Sequence, residues 1–400
     1  MTPSHNGAAA APSPQQPGAA RRVSDASASA PVPPYLATPR SAALPQFPWD
    51  RLEPAKAVAA AHPGGIVDLS VGTPVDPVPE LVQGALRAAS DSPGYPLTAG
   101  TPQLREALAE WLRRRVGAEI GTAAVLPLVG SKELVAWLPT QLGLGRGDAV
   151  ALPELAYPTY DVGARLAGCE PRTYREPWEA DTAGLKLLWL NSPSNPTGRV
   201  LTKDELARTV EWAREHGVLV VSDECYIELG WDAEPLSVLH PSVNGGSHEG
   251  LLALHSLSKR SNLAGYRAAF AAGDERVVRE LLEVRKHGGM IVPRPVQDAM
   301  AAALGDTVHV DEQRARYAQR RAALRTAFLK AGFTIDHSEA SLYLWASRGE
   351  SCWDTVNRLA EQGILVAPGE FYGPKGDRHV RIAFTATDER VRAAVDRLAG

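Results

Sequence analysis

The sequence contains few cysteines, and their placement excludes two kinds of site. Its 400 residues include three cysteines, Cys169, Cys225 and Cys352, which lie far apart and show no CxxC or cysteine–histidine ligand spacing. A zinc site and a disulfide framework therefore have no support, and we expect no bound metal. Scattered, odd-numbered cysteines are typical of a protein in the reducing cytoplasm.

The sequence also lacks long apolar runs and an excess of charge of either sign. No apolar run approaches the roughly 20 residues that span a bilayer, and no apolar segment near the N-terminus resembles a signal peptide. The formal net charge is -4, so there is no electrostatic case for binding nucleic acid or a membrane surface. Hydrophobic residues make up 44% and charged residues 22%, the balance of an ordinary globular protein.

Composition and patterning divide the chain into three parts. Residues 1–43 are rich in alanine, proline and serine, and we predict a disordered tail because they cannot bury enough surface to offset ordering entropy. Over residues 75–290, short apolar runs alternate with helical patterns, which predicts a large α/β domain with a doubly wound, mostly parallel sheet. Residues 44–74 and 291–400 lack that alternation, and we predict a smaller α+β domain there.

Six apolar runs are the candidate strands of the large sheet. They cover residues 125–129, 149–152, 187–190, 218–221, 251–254 and 268–272. Between two of them, Thr202 and Glu205 have the spacing of a helix capping box. In open α/β sheets, ligands bind beyond the carboxyl ends of the strands, so the polar residues that follow these runs are the first site candidates.

The run 251–254 is followed by Ser256, Ser258 and Lys259, with Arg267 eight residues further along. In an extended segment, Ser256 and Ser258 would point to the same side. Two hydroxyls and a guanidinium can bind a phosphate, and a lysine beside them is a candidate nucleophile for a Schiff base. A surface turn with an unrelated arginine explains this stretch, taken alone, equally well.

Two further runs end in candidate polar residues. The run 218–221 leads to Asp223, where an unpaired buried carboxylate would be costly and therefore calls for a cationic partner. A protonated pyridine nitrogen would serve, and capping of the next helix is the alternative. The run 187–190 leads to a proline-stiffened loop with Asn195 at its tip, for which a simple turn is the alternative.

Three weaker signals complete the set. Ser131 and Lys132 follow the run 125–129 at a helix start, where free backbone N–H groups can bind an anion, although many strand–helix turns look alike. Tyr95 lies in a glycine-bounded segment ahead of another helix. Arg381 lies inside an apolar strand, where a buried arginine needs a carboxylate and a structural salt bridge is the alternative.

In this order and spacing, the motifs resemble those of the class I/II aminotransferases, the aspartate-aminotransferase-like pyridoxal-phosphate (PLP) enzymes of fold type I. The resemblance extends over residues 47–400. It is carried by Ser-x-Ser-Lys at 256–259 with Gly-Tyr-Arg at 265–267, and by Asn-Pro-Thr-Gly at 195–198 with Asp-Glu-x-Tyr at 223–226.

The resemblance implies roles for individual residues. Lys259 would form the Schiff base with PLP and carry the substrate's Cα proton, while Asp223 would pair with the pyridine nitrogen and Tyr226 would contact the phenolic oxygen. The other expected cofactor-binding residues are Ser131, Lys132, Tyr157, Asn195, Ser256, Ser258, Arg267 and Tyr95. Tyr95 would reach the phosphate of the neighbouring subunit, which implies a homodimer. Arg381 would bind the substrate's α-carboxylate, with Gly72 and Asn195 nearby.

A closer resemblance concerns the substrate. The segments 47–50 and 62–79 are similar to those of actinobacterial succinyldiaminopimelate aminotransferases of lysine biosynthesis, which implies glutamate as donor and N-succinyl-2-amino-6-oxopimelate as acceptor. The acceptor's distal carboxylates would need further cations, and Lys132, Arg260 and Arg294 are candidates. The alternatives are an aminotransferase for another amino acid, a PLP-dependent carbon–sulfur or β-lyase, and a non-enzymatic PLP-fold regulator. The regulator is disfavoured because such proteins usually carry a DNA-binding module and the predicted tail shows none.

Overall fold

The structure is a computed structural model, and it describes residues 40–400. The tail predicted over residues 1–43 lies outside the described residues, apart from a short 3-10 helix at Arg40–Ala43. Residues Ala43–Gly400 form one compact unit, so the division into a larger and a smaller domain stays a prediction. Within residues 40–400, no helix is both long and apolar enough to cross a membrane.

The strands of this region are, in chain order, β1 (Val67–Asp68), β2 (Val125–Val129), β3 (Ala149–Pro153), β4 (Glu170–Tyr174), β5 (Leu185–Asn191), β6 (Leu219–Asp223), β7 (Leu251–Ser256), β8 (Ala268–Gly273), β9 (Thr334–Asp336), β10 (Tyr343–Ser347), β11 (Ile364–Leu365), β12 (Ala367–Pro368) and β13 (Val380–Ala383). The α-helices are α1 (Glu53–Ala60), α2 (Glu80–Ala88), α3 (Pro102–Trp111), α4 (Ser131–Gln141), α5 (Thr159–Ala167), α6 (Lys203–Glu215), α7 (Pro241–Asn244), α8 (Leu257–Arg260), α9 (Glu275–Gly288), α10 (Arg294–Gly305), α11 (Val308–Lys330), α12 (Cys352–Glu361) and α13 (Asp388–Ala399). The predicted capping box is present at the start of α6, where Thr202 and Glu205 bond each other's backbone N–H groups.

A seven-stranded sheet forms the centre of the molecule, in the order β2-β8-β7-β6-β5-β3-β4. Strands β3 to β7 run parallel to one another, whereas β8 is antiparallel to both β2 and β7. The α/β class with a mostly parallel sheet is therefore confirmed. The edge strand β4 has no counterpart among the predicted runs because its sequence, Glu-Pro-Arg-Thr-Tyr, is mostly polar and partly exposed.

Helices cover both faces of this sheet. Alternate side chains of each strand point to opposite faces, so that in β5 Leu188 and Leu190 join one apolar cluster while Leu187 and Trp189 join the other. Helices α3, α6 and α10 pack on the first face, and α4, α5 and α9 pack on the second. Burial on both faces explains why the central strands are continuous apolar runs.

A third apolar cluster lies around a four-stranded antiparallel sheet, β12-β13-β10-β9, and the short parallel pair β1-β11. Helices α1, α11, α12 and α13 contribute to this cluster. Tyr226 and Leu229, which follow β6 of the large sheet, belong to it as well. The carboxyl end of the large sheet therefore packs against β10 and β13, and the candidate site lies where they meet.

Candidate active site

Polar side chains from three neighbouring strands meet at the carboxyl edge of the large sheet. Asn191 ends β5 and lies opposite Asp223, which ends β6, while Ser256 ends β7. The Asn191 amide donates a hydrogen bond to the Asp223 carbonyl at 2.9 Å, and its oxygen accepts one from the Asn195 backbone N–H at 2.7 Å. Asn191, which the sequence analysis did not single out, thus ties the Asn195 loop to the strand that carries Asp223.

The Asp223 carboxylate is buried, with 7% of the residue exposed. It accepts hydrogen bonds from the Tyr160 hydroxyl at 2.9 Å and from the Cys225 backbone N–H at 3.2 Å. Burial raises its pKa, and no lysine or arginine among residues 40–400 forms an ion pair with it. Because a buried carboxylate without a cation is costly, this position is suited to a positively charged group of a ligand.

Lys259 lies in the short helix α8, with its ammonium group inside the site. Its Nζ donates a hydrogen bond to the carbonyl of Gly72, the residue expected beside the substrate. Burial lowers the pKa of Lys259, and the positive charges of Arg381 and Arg267 lower it further. A lysine with a lowered pKa is deprotonated more readily, and its neutral amine is the form that attacks a carbonyl group.

The backbone around Ser256 and Ser258 differs from the extended segment predicted from the sequence. Strand β7 ends at Ser256 and helix α8 begins at Leu257, so the two serines do not alternate along one strand. The Ser256 hydroxyl instead caps the helix by accepting a hydrogen bond from the Ser258 N–H at 3.2 Å. The cap turns the chain at this point and brings Ser256, Ser258 and Lys259 into the same corner.

A candidate anion-binding corner is formed by Gly130, the start of α4, Lys132 and Arg267. The backbone of Arg267 is left-handed, with φ of 57°, and that of Gly130 has φ of 77°. A Cβ atom at Gly130 would overlap the Arg267 guanidinium, so glycine there permits their contact. Helix α4 begins at Ser131 with no side-chain cap, which leaves its first N–H groups unpaired within the helix. Burial and the nearby Arg267 both lower the pKa of Lys132, which places a second cation at this corner.

The opposite end of the site is formed by Arg381 on β13, of which only 2% is exposed. Its guanidinium donates hydrogen bonds to the Asn195 side-chain oxygen at 2.8 Å and to the Ser70 carbonyl at 2.7 Å. The guanidinium carbon lies 4.0 Å from the ring centre of Tyr343 and 4.8 Å from that of Tyr372. None of its partners among the described residues is a carboxylate, so the salt-bridge alternative finds no partner there.

Tyrosines line the space between the two ends. The ring of Tyr157 contacts Tyr160 edge-to-face at 5.8 Å, and Tyr160 stacks on Trp189 at 4.8 Å. Burial raises the pKa of Tyr157 to about 12. The hydroxyls of Tyr226 and Tyr343 lie 2.9 Å apart. The sequence analysis named Tyr157 and Tyr226, but it missed Tyr160 and Tyr343. Tyr343 begins the buried strand β10, and its sequence surroundings do not distinguish it from a core tyrosine.

Three of the residues expected at the site do not line it in the single chain. Tyr95 is 100% exposed. Arg260 is buried elsewhere, where it pairs with Glu228 and donates a hydrogen bond to the Ala303 carbonyl at 3.2 Å. Arg294 begins α10 and pairs with Asp298 at 2.9 Å. Arg260 is therefore already committed to a protein carboxylate and is a poor candidate for a substrate cation, which corrects the expectation from sequence.

The donor set fits PLP group by group. Asp223 offers a buried carboxylate without a cation, which suits a protonated pyridine nitrogen. Lys259 offers a buried amine with a lowered pKa, which suits an aldehyde. The corner formed by Arg267, Lys132 and the start of α4 offers positive charge and N–H groups, which suit a phosphate.

Comparison with known proteins agrees with this assignment. The family description "Aminotransferase class I and II" matches residues 65–398. A probable aminotransferase of Mycobacterium tuberculosis, Rv1178, is 65% identical over 359 residues, which are 90% of this chain and 86% of that protein. The 4-dedimethylamino-4-oxo-anhydrotetracycline transaminase OxyQ of Streptomyces rimosus is 60% identical over 355 residues, 89% of this chain and 99% of that protein.

More distant relatives share the same architecture. An LL-diaminopimelate aminotransferase of Dehalococcoides mccartyi is 31% identical over 380 residues, which cover 89% of this chain and 96% of that enzyme. The crystal structure of an aminotransferase from Neisseria meningitidis superimposes with a TM-score of 0.82 at 31% identity, over 90% of this chain and 99% of that one. The chain belongs to the class I and II aminotransferases, a family of PLP-dependent enzymes of fold type I.

Proposed function

We propose that this aminotransferase moves the amino group of glutamate to N-succinyl-2-amino-6-oxopimelate. The observation that carries the amino-acid part of the proposal is Arg381, whose buried guanidinium lies in the site that Lys259 enters. A guanidinium binds a carboxylate through two parallel, charge-assisted hydrogen bonds. Glutamate and a 2-oxo acid each carry a carboxylate next to the reacting carbon, so one arginine serves both substrates.

When bound, PLP supplies an electrophilic carbon and a ring that withdraws electrons from the substrate's Cα. The chain's own residues do the rest. Lys259 has a pKa lowered by burial, so its Nζ could take the proton from the substrate's Cα and deliver it to the former aldehyde carbon of the cofactor. Asp223 would supply a negative charge to a protonated pyridine nitrogen, and the hydrogen bond from the Tyr160 hydroxyl orients its carboxylate. Arg381 holds the carboxylate so that the Cα proton faces Lys259.

The distal carboxylates of the proposed acceptor require a cation that no protein carboxylate already neutralises. Of the three candidates from the sequence, Arg260 and Arg294 have carboxylate partners, Glu228 and Asp298. Lys132 lies over the ring of Phe47 at 5.7 Å and, within residues 40–400, forms no ion pair. We therefore retain Lys132 as the residue that contacts the distal end, in addition to its expected backbone contact with the phosphate.

A ring ketone is the second candidate acceptor, because the chain is 60% identical to OxyQ over 99% of that protein. The reacting ketone of an oxo-anhydrotetracycline has no adjacent carboxylate, so Arg381 would have no α-carboxylate to bind in that half-reaction. Among the named relatives, support for a diaminopimelate-type acceptor comes from an LL-diaminopimelate aminotransferase at 31% identity. The two acceptors thus differ in whether they need Arg381, so a substitution of Arg381 can distinguish them.

The reaction class is tested by the half-reaction with glutamate. We expect the absorbance of bound PLP to change to that of pyridoxamine phosphate, with release of one 2-oxoglutarate per site. Pyruvate and ammonia from a β-substituted amino acid would instead indicate a lyase, and the absence of turnover would indicate a binding protein. Either result in place of the expected one would refute transamination with glutamate as the donor.

The acceptor is tested by offering the pyridoxamine form three compounds: succinyl-oxopimelate, 2-oxopimelate as the matched control without the succinylamino group, and the ring ketone. If the distal ion pair contributes as much free energy as a hydrogen bond to a charged group, kcat/KM should be about 10- to 150-fold higher for succinyl-oxopimelate than for the control. Replacing Lys132 by glutamine should reduce this preference. A higher kcat/KM for the ring ketone would reject the proposed acceptor and leave the aminotransferase class intact.

The active unit is proposed to be a homodimer. Tyr95 and Leu97 lie close together in the chain and are 100% and 57% exposed, respectively. Exposed large apolar side chains in one segment are typical of a surface that meets another protein. A second copy would cover them and bring Tyr95 to the phosphate corner of its partner.

A further inference from the structure

Tyr343 lies at the centre of the site although no motif marked it. It begins β10, is 3% exposed, and pairs with Ala383 of β13. Arg381 is two residues from Ala383, so it points to the same face of the sheet as Tyr343. The Tyr343 ring consequently lies beneath the Arg381 guanidinium, with 4.0 Å between the guanidinium carbon and the ring centre.

The hydroxyl of Tyr343 points away from Arg381 into the space between the two ends of the site. It lies 2.9 Å from the Tyr226 hydroxyl, and any Cβ atom at Gly72 would overlap it. Burial lowers the pKa of Lys259 and the nearby Tyr343 opposes that shift, so the phenol lies close to the amine. One side chain therefore adjoins the carboxylate-binding arginine, the Schiff-base lysine and the tyrosine expected at the cofactor's phenolic oxygen.

The chemistry of the two hydroxyls determines which of them donates. Either oxygen can be the donor in the pair as it stands. If Tyr226 gives its proton to the phenolic oxygen of PLP, it has no second proton to give. The proton between the two tyrosines then belongs to Tyr343, and Tyr226 accepts it. Hydrogen bonds in such a chain polarise each other, so Tyr226 becomes a stronger donor.

We propose that Tyr343 is a positioning residue for transamination: its hydroxyl donates to Tyr226, and its ring holds Arg381, so it couples the cofactor's phenolic oxygen to the carboxylate site. The inference rests on the proposed contact between Tyr226 and PLP. A stronger donor at the phenolic oxygen favours its deprotonated form and lowers the pKa of the PLP-bound lysine. Besides Tyr343, the titratable or charged groups that face Tyr226 are Arg381 and Cys225.

The chain offers a matched control in Tyr372. Its ring also lies against Arg381, at 4.8 Å, and the residue is equally buried, with 3% exposed. Its hydroxyl, however, has no hydrogen-bond partner among the described residues. Removing either hydroxyl therefore leaves both rings in place. Only removal of the Tyr343 hydroxyl changes the contact with Tyr226.

The test is a spectrophotometric pH titration of the PLP-bound enzyme and its Tyr343→Phe and Tyr372→Phe variants. Loss of one hydrogen bond to Tyr226 should raise the pKa of the bound chromophore by about 0.5–1 unit in Tyr343→Phe. Tyr372→Phe should leave it unchanged, and both variants should bind glutamate with nearly wild-type affinity because the rings remain. An unchanged pKa in Tyr343→Phe, or equal shifts in both variants, would overturn the proposal.

A double-mutant cycle tests whether Tyr343 acts through Tyr226. In a Tyr226→Phe background, the added Tyr343→Phe substitution should no longer shift the pKa, and a shift of the original size would contradict the route. The titration needs no turnover, so it is independent of the glutamate half-reaction. If the wild-type enzyme fails to transaminate but Tyr343→Phe still shifts the pKa, the proposed function fails and the positioning role stands.

Discussion

The two arginines of the site are held in different ways. Arg381 is almost fully buried, and protein groups already occupy part of its donor set, with Asn195 and Ser70 at 2.8 and 2.7 Å and two tyrosine rings on its faces. Arg267 is exposed, has a left-handed backbone, and donates one hydrogen bond, to the Ala264 carbonyl at 2.9 Å. Protein groups thus hold Arg381 from several sides, whereas Arg267 has a single protein hydrogen bond among the described residues.

This difference has a functional reason. Substrates bind and leave in every turnover, and a preorganised arginine loses little side-chain freedom on each binding event. The cofactor would stay in the site through both half-reactions while its bond to Lys259 is broken and remade, so the groups at the phosphate end would be ordered once. Three substitutions test whether the two ends are independent in this way.

The largest effect is expected at Asp223, which lies between the two ends. Asp223→Asn removes the charge that favours a protonated pyridine, and loss of one such preorganised group costs about 10²–10³ in rate. The substitution should leave glutamate affinity unchanged. Any loss of PLP retention should be much smaller than the loss of rate. Single-turnover kinetics with glutamate measure the rate, and an unchanged rate would reduce Asp223 to a structural residue.

A smaller effect is expected from Arg381→Lys, because lysine keeps the charge and loses the two-pronged geometry. Loss of a charge-assisted hydrogen bond worth about 1.5–3 kcal/mol corresponds to roughly 10- to 150-fold weaker binding of glutamate and of the 2-oxo acid alike. PLP affinity should not change. Titration of glutamate into the PLP-bound variant measures the loss, and normal affinity in a stably folded variant would remove Arg381 from the substrate site.

The smallest effect is expected from Arg267→Lys. Exposure to solvent weakens the interaction of Arg267 with a phosphate, so we expect less than about tenfold weaker PLP retention and no change in glutamate affinity. Dialysis of the enzyme against buffer, followed by PLP absorbance, measures retention. A loss of glutamate affinity as large as that of Arg381→Lys would show that the two ends are coupled and not independent.

The sequence predicted the parts of the site that depend on local position. Asp223, Asn195 and Ser256 follow apolar runs, and the carboxyl ends of neighbouring parallel strands must lie together, so their meeting was predictable. The strands β2, β3, β5, β6, β7 and β8 extend the predicted runs by a few residues at most. A strand that is buried on both faces is easy to recognise in the sequence, because its residues are all apolar and do not alternate with polar ones.

The remaining parts depend on packing between distant segments. Tyr343 and Tyr372 enter the site only because β10, β12 and β13 pack against the edge of the large sheet, and nothing in their own neighbourhood distinguishes them from core tyrosines. Helix α8 was missed because one cap at Ser256 decides between an extended and a helical backbone over four residues. The place of Tyr95 depends on a second subunit, which a single chain cannot supply.

Burial of the cysteines has a consequence for the enzyme's sensitivity to oxidants. The pKa of Cys225 is raised well above its usual value by burial and by the adjacent Asp223 charge, and burial raises those of Cys169 and Cys352 as well. Only the thiolate reacts readily with peroxides, alkylating agents or disulfides. Cys225 therefore stays a thiol at neutral pH although it lies beside Lys259 and Asp223. Its sulfur therefore lines the site as a thiol of low reactivity.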